Sequence, residues 1–406
     1  MRSHCRSVHV VAVGCMCMMN ACAGSDRGTL AEERITRGDT TIVRSHGGSV
    51  WDSVALVEEL RIGVLQGAEE EMFGNVQEIA PDRHGGVYVF DGAVPALRHF
   101  DSTGAYVGTL GAGGSGPGEY RDAALGLDVR PDGRVLMRDP RNSRINVYAA
   151  DGTPTEHWTV SSGLFASDAM VVDTAGHLYL KVMLGDIVQN QPWPIGILHL
   201  GPTGELIDSI APPTIVGEPT TSSGIFGTSK VWAMSPLGDM VAGVNDTYTF
   251  VIVQPDGRVV RIEREHTPVA VHPDEHAEWE IRNEWTRKNR GQFMSAELPP
   301  VPMTKPAYRE FSIGGDGRIW VRLYVDARQE EVEPAPVRPG EASARPSITW
   351  VEPSVYDVFE RDGTYLGRVH LPDQVSLAAH SGSEVWGRAT GDLGELYIVR
   401  YRLDAR

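Results

Sequence analysis

Cysteine is absent from the last 384 of the 406 residues, because Cys5, Cys15, Cys17 and Cys22 all lie in the opening segment. The body of the chain therefore has no disulfide framework and no thiolate-based zinc site. Basic side chains are also scarce, 37 against 54 acidic ones for a net charge of −17, which argues against a surface built to neutralise nucleic-acid phosphates. The opening apolar stretch, Val8 to Met19, is 12 residues long, whereas a spanning helix needs roughly 20. Aromatic residues make up only 7% of the chain. What is abundant is Gly, at 45, with 26 Pro, a turn-rich composition that is neither collagen-like nor disordered.

The opening residues have the order of an export signal: a short basic region (Arg2, Arg6), the apolar stretch, and then Asn20-Ala21-Cys22-Ala23-Gly24. Met19-Asn20-Ala21-Cys22 resembles a bacterial lipobox, which implies lipidation of Cys22 after removal of residues 1–21. A cut after Ala23, which would release the chain by simple secretion, also fits the small-x-small rule. Residues 22–45 are polar and lack a hydrophobic period, so they read as a flexible tether.

From residue 46 onward the chain repeats itself. A short apolar strand, a Gly-containing turn and a second strand recur six times, beginning with Glu78 to Val89, Leu127 to Met137 and Met170 to Leu180. The pattern returns at Trp232 to Val241, Phe311 to Val321 and Leu377 to Trp386. Each is a hairpin signal. A second hairpin follows in five units, and its turn glycines Gly104, Gly152, Gly204 and Gly257 are spaced 48, 52 and 53 residues apart. Gly363 comes 106 residues later, an interval that contains insertions at 265–308 and 325–350. Two hairpins per unit make a four-stranded antiparallel sheet. The sixth unit lacks an outer strand, and Leu60 to Leu65 copies the rhythm of Tyr106 to Leu110, so the N-terminal strand is expected to close the ring.

The stretches Asp82 to Val89, Asn142 to Tyr148 and Gly113 to Tyr120 resemble the NHL-type repeats of bacterial six-bladed β-propeller lipoproteins, a group that overlaps TolB-like propellers. The resemblance covers roughly residues 55 to 405. It implies an all-β, six-bladed β-propeller in the cell envelope, at the outer membrane or in the periplasm, and it leaves the activity open.

In such a ring the short turns lie on one face and the long connections on the other, called the top. The connections at 111–126, 181–194, 211–230, 265–308 and 325–350 all fall on top, the face where function is expected. Within 265–308, Pro273 and the acids Asp274 and Glu275 start a helix whose stripe Ala277, Ile281 and Trp285 should pack on the rim, with Gly291 ending it. Aligning the six second strands puts Phe90, Arg138, Lys181, Gly243, Arg322 and Arg388 at their top ends. Four of these are basic in an acidic protein. They are expected either to converge on the channel mouth as an anion site or to be clamped by top-loop acids such as Glu119, Asp122, Asp139 and Asp326.

Other motifs fall away. Gly111 to Gly116 matches a dinucleotide fingerprint, but Pro117-Gly118 follows where a helix should begin. His272 and His276 have helical ligand spacing with Glu275 and His266 nearby, yet the zincin order is missing, and no metal site is assigned. No nucleophile elbow is present. The expected function is a monomeric, exported, lipid-anchored and non-enzymatic binding module that needs no cofactor. It takes an anionic small molecule, glycan or protein segment on Arg138, Lys181, Arg322 and Arg388, with Trp193, Trp279 or Trp285 adding contact area. Its membrane contact is through the lipid alone. The competing readings are a metal-assisted lyase or hydrolase with its site in the channel, and an envelope scaffold that docks a partner protein.

Overall fold

The computed structural model describes residues 32–121, 126–160, 170–186, 194–215, 224–290, 298–337, 341 and 343–406. Cys22, Asp122, Trp193 and Gly291 lie outside these residues. Alternating hydrophobicity and Gly-containing turns build six four-stranded antiparallel blades. Blades 1 to 5 span 76–110, 127–159, 170–210, 230–264 and 308–370. Blade 6 combines 375–405 with Val54–Ile62 from the N-terminal part of the chain. The expected all-β, six-bladed β-propeller closed by an N-terminal strand is therefore the observed architecture.

Ten of the hairpin turns share one geometry. Their glycines, Gly85, Gly104, Gly133, Gly152, Gly176, Gly204, Gly238, Gly257, Gly317 and Gly363, all have φ between 83° and 90°, a region in which a Cβ is strained. These turns define the bottom face. The strand directions place every long connection on the opposite face, as expected.

Six apolar clusters lie between neighbouring blades, one per interface, so the core is itself a ring. The cluster between blades 4 and 5 is the largest, with Val43, Tyr248, Phe250, Tyr308 and Phe359 among its buried members. The cluster between blades 3 and 4 is the smallest, with only Tyr179, Ile197 and Met240 buried.

The N-terminal region departs from the sequence reading in two ways. Glu32–Arg37 and Thr40–Ser45, expected within a flexible tether, form a hairpin that extends blade 4 to six strands. Thr40–Ser45 pairs in parallel with Val259–Arg264. A single fully buried side chain, Val43, is enough, because the ladder is supplied by the exposed edge of blade 4. A hydrophobic period had nothing to show. The chain then crosses blade 5, where the Trp51 N–H donates to the Leu366 carbonyl (2.8 Å), and enters blade 6. The closing strand is Val54–Ile62, earlier than Leu60 to Leu65. It stops at Gly63 (φ 122°), where a Cβ would lie 2.5 Å from the Leu396 carbonyl oxygen.

Candidate functional site: the channel and its top mouth

The inner strands of the six blades line a channel of about 1140 Å³. A second cavity of about 510 Å³ opens on the top face beside it, between blade 6, the start of blade 1 and the 325–350 insertion. The four basic residues singled out from the sequence do not converge on one cavity. Arg138 is buried in the wall between blades 2 and 3, with its Nη1 donating to the Lys181 carbonyl (3.4 Å), and burial lowers its pKa. It lines neither cavity. Lys181 lines the channel, its ammonium 4.4 Å from the Trp232 ring centroid. Arg322 lines the lateral cavity and pairs with Glu310 (3.1 Å), its cross-strand neighbour. Of the top-loop acids expected as clamps, Glu119 accepts from the Gly116 N–H (2.6 Å), and Asp139 accepts from the Asn142 side-chain amide (2.6 Å) and lies 3.8 Å from Arg144, while Asp122 lies outside the described residues.

Arg388 lines both cavities. Its Nη1 donates to the Gln77 carbonyl (2.8 Å), joining blade 6 to blade 1. Among the described residues, no carboxylate lies within ion-pair distance of its guanidinium.

Charge along the channel is sorted by height. Among the described residues that line the channel, the strand directions put Lys181, Lys230, Arg309 and Arg388 at the top end with the acid Glu310, and Arg309 is itself paired with Glu352 (2.5 Å). Asp82, Asp128, Asp173 and Glu384 lie at the bottom end with one base, Arg83. Lys230, Arg309 and the bottom acids were missed in the sequence because only the second strands were aligned. The same alignment of the first strands places Lys230 and Arg309 at corresponding top ends.

Burial raises the channel tyrosines Tyr179 and Tyr356 to about 12, and three further channel groups are shifted in their acidity. Burial raises Asp128 to about 6, opposed by N–H donors from Val172 (2.7 Å) and Val129 and by the charge of Arg83. Burial lowers His380 to about 4; its Nε2 is 3.2 Å from Ser312 Oγ and its ring stacks on Trp320. Asp82 runs the other way. Burial disfavours its ionisation, but hydrogen bonds from His99 (2.8 Å) and from the His84 and Gly86 N–H groups outweigh this and hold its pKa below the usual range.

Above blades 4 and 5 the insertions pack on one another as a cap. The helix Pro273–Arg290 is anchored by polar contacts. Glu278 accepts from the Thr349 N–H (2.7 Å) and hydroxyl (2.6 Å), and Trp285 Nε1 donates to the Ser343 carbonyl (3.2 Å). The expected stripe is corrected in part: Trp285 is buried, but Ala277 is exposed and Ile281 is 59% exposed. Trp279 takes their place, packing with Phe226, Val271 and Val301 in a small core belonging to the cap. Trp279 and Trp285 therefore support the insertions instead of presenting a contact surface. His272 stacks on Trp350 (4.3 Å), while His276 Nε2 donates to the Val301 carbonyl (2.8 Å). The two histidines are thus committed to different neighbours. Among the described residues no group of three His, Cys, Asp or Glu side chains is arranged to hold a metal ion.

No family model matches the chain. The chain is 12% identical to a candidate exported protein of Bacteroides fragilis, covering 90% of this chain and 99% of that one at a TM-score of 0.50. It is 11% identical to a member of the DUF4221 family from Bacteroides vulgatus, covering 88% and 100% at a TM-score of 0.51. The likeness shows the fold alone. Among curated proteins, a mycothiol acetyltransferase of Cellulomonas flavigena is 32% identical over 111 residues. That match takes in 27% of this chain, and the chain spans only 30% of the relative's length.

Proposed function

We propose that this protein is an exported, lipid-anchored propeller of the NHL-repeat type that binds an anionic ligand at the top mouth of its channel. Arg388 carries the reading. An arginine open to two cavities, held by one neutral carbonyl and by no described carboxylate, is a ready partner for an incoming acid. Lys181 adds positive charge within the channel and Arg322 within the lateral cavity, and walls of low dielectric strengthen the field of both. Arg138 supports the wall and is not part of the site. Export rests on the basic and apolar order of residues 2–24, and anchoring on Cys22.

The test is thermal melting of protein starting at Gly24 in acetate, succinate, citrate and inorganic phosphate at constant ionic strength. At least one acid should raise the melting temperature of the wild type and leave Arg388→Glu unmoved. Equal shifts in both proteins, or none in the wild type, would overturn the reading. Separately, Cys22→Ser should release the protein from the membrane fraction of an expressing bacterium.

A further inference from the structure

The lateral cavity of about 510 Å³ has its own balance of charge. Three arginines line it, Arg322, Arg328 and Arg388. Arg322 is paired with Glu310 (3.1 Å), and Arg328 with Glu330 (2.8 Å) and Asp373 (2.9 Å). Arg388 is the one guanidinium of the three with no carboxylate partner among the described residues. Glu330, Glu352 and Asp373 line the same wall, so a second negative charge on a ligand would meet like charge and no further unpaired arginine. The cavity is matched to a single negative charge.

The groups beside Arg388 are polar and neutral. Arg388 and Thr390 are two residues apart on the strand Glu384–Thr390, so their side chains leave the same face about 7 Å apart. Ser376 lies directly opposite Arg388, and the Gln374 carbonyl accepts the Thr390 N–H (3.2 Å). Asn75, just before the first strand of blade 1, lines the same cavity. Among the described residues, the side-chain amides of Asn75 and Gln374 and the Thr390 hydroxyl have no hydrogen-bond partner. Gln374 also has φ 59°, a left-handed conformation that glycine adopts freely and that is strained for a residue with a Cβ. The residue that carries this strain is one that gives the cavity a carboxamide.

We infer that the lateral cavity takes a sugar acid, a ring with one carboxylate and several hydroxyl groups, its carboxylate held by Arg388 and its hydroxyl groups by Gln374, Thr390 and Asn75. The inference rests on the anion site proposed above and adds to it the cavity and the class of ligand. Arg388 Nη1 donates to the Gln77 carbonyl (2.8 Å), which leaves the edge formed by Nε and Nη2 for a carboxylate. Amide and hydroxyl side chains both donate and accept, as sugar hydroxyls do, so each can pair with a ring hydroxyl and leave neither group unsatisfied. A hydrocarbon acid would strip water from the same groups and return no hydrogen bond.

The experiment is calorimetric titration of protein starting at Gly24 with glucuronate, galacturonate, glucose, cyclohexanecarboxylate and glucarate at constant ionic strength. At least one uronate should bind about tenfold more tightly than glucose, which lacks the carboxylate, and cyclohexanecarboxylate, which lacks the hydroxyl groups. Glucarate, with its second carboxylate, should bind less tightly than that uronate. Arg388→Gln should bring the uronate down to the level of glucose. Thr390→Val and Gln374→Gly should each weaken uronate binding about tenfold and leave that of cyclohexanecarboxylate unchanged. Gln374→Gly relieves the backbone and should not lower the melting temperature. If cyclohexanecarboxylate or glucarate binds as tightly as the uronates, or if Thr390→Val and Gln374→Gly leave uronate binding intact, this inference falls while the anion site stands. It also falls alone if neither uronate binds although a simple acid still raises the melting temperature. If no acid binds, both fall.

Discussion

Lys305 Nζ lies 2.9 Å from Glu275 Oε1, and neither side chain is exposed beyond 2%. The pair joins the first turn of the inserted helix to the chain leading into blade 5. Glu352 (3.1 Å) and the Val325 carbonyl (3.2 Å) complete the shell of the ammonium, and Arg309 shares Glu352. A buried cation with two carboxylates fixes the cap far more sharply than its small apolar core could.

Lys305→Met leaves Glu275 and Glu352 buried without their shared cation. The expected cost is about 3 to 5 kcal/mol, typical of a buried pair that loses one partner. The loss should appear in denaturant unfolding, with Trp285 fluorescence reporting early detachment of the cap.

Arg388 and Arg138 occupy matching strand positions in blades 6 and 2 but should behave oppositely. Arg388→Glu should abolish acid binding with little change in stability. Arg138→Met should leave the dissociation constant for the same acid within about twofold, because Arg138 reaches neither cavity. Calorimetry on both variants checks this.

His380 and Asp128 give pH dependences of opposite sign. The His380 value in the fold, about 4, is below its unfolded value of about 6.5, so its contribution is complete above 6.5 and is lost as pH falls through that interval. The size is on the order of 3 kcal/mol. Asp128, at about 6 in the fold against about 3.9 unfolded, contributes stability that is present below 3.9 and lost as pH rises through 6. The two slopes oppose each other between about 4 and 6. His380→Asn should therefore tilt the stability profile toward lower pH in this window, and Asp128→Asn toward higher pH. Urea unfolding at half-unit pH intervals measures both slopes.

Val43→Ala should cost about 1 to 3 kcal/mol, since it removes two buried methyl groups from the interface of blades 4 and 5. Deleting residues 1–45 should do more, by exposing the Val259–Arg264 edge to pairing with other chains. Light scattering of the truncated protein should show association that the longer chain lacks.

The blade count was legible because each hairpin is specified locally: a turn glycine at positive φ, an acid or, at Ser235, a hydroxyl capping many of the turns, and alternating apolar residues on both sides. Such signals do not depend on distant parts of the chain, so the six repeats, the face that carries the insertions and the need for a closing strand could all be read from residue order. The N-terminal hairpin could not. Its ladder partner is Val259–Arg264, with Arg44 bonded to Glu263 219 residues away, and its own sequence buries almost nothing.

The sequence by itself determined the ring, because β-hairpins of fixed length with one apolar face have few other ways to cover that face. It also determined the height of each charge, since strand register sets position along the channel axis. Only the tertiary structure decided which charges share a space. Register fixes how high a side chain sits but not whether blade twist turns it into the channel, as with Lys181, or into the wall, as with Arg138. Closure of the ring then brought Arg388 of the last blade beside Gln77 of the first, a contact that exists only because the two ends of the repeat array meet.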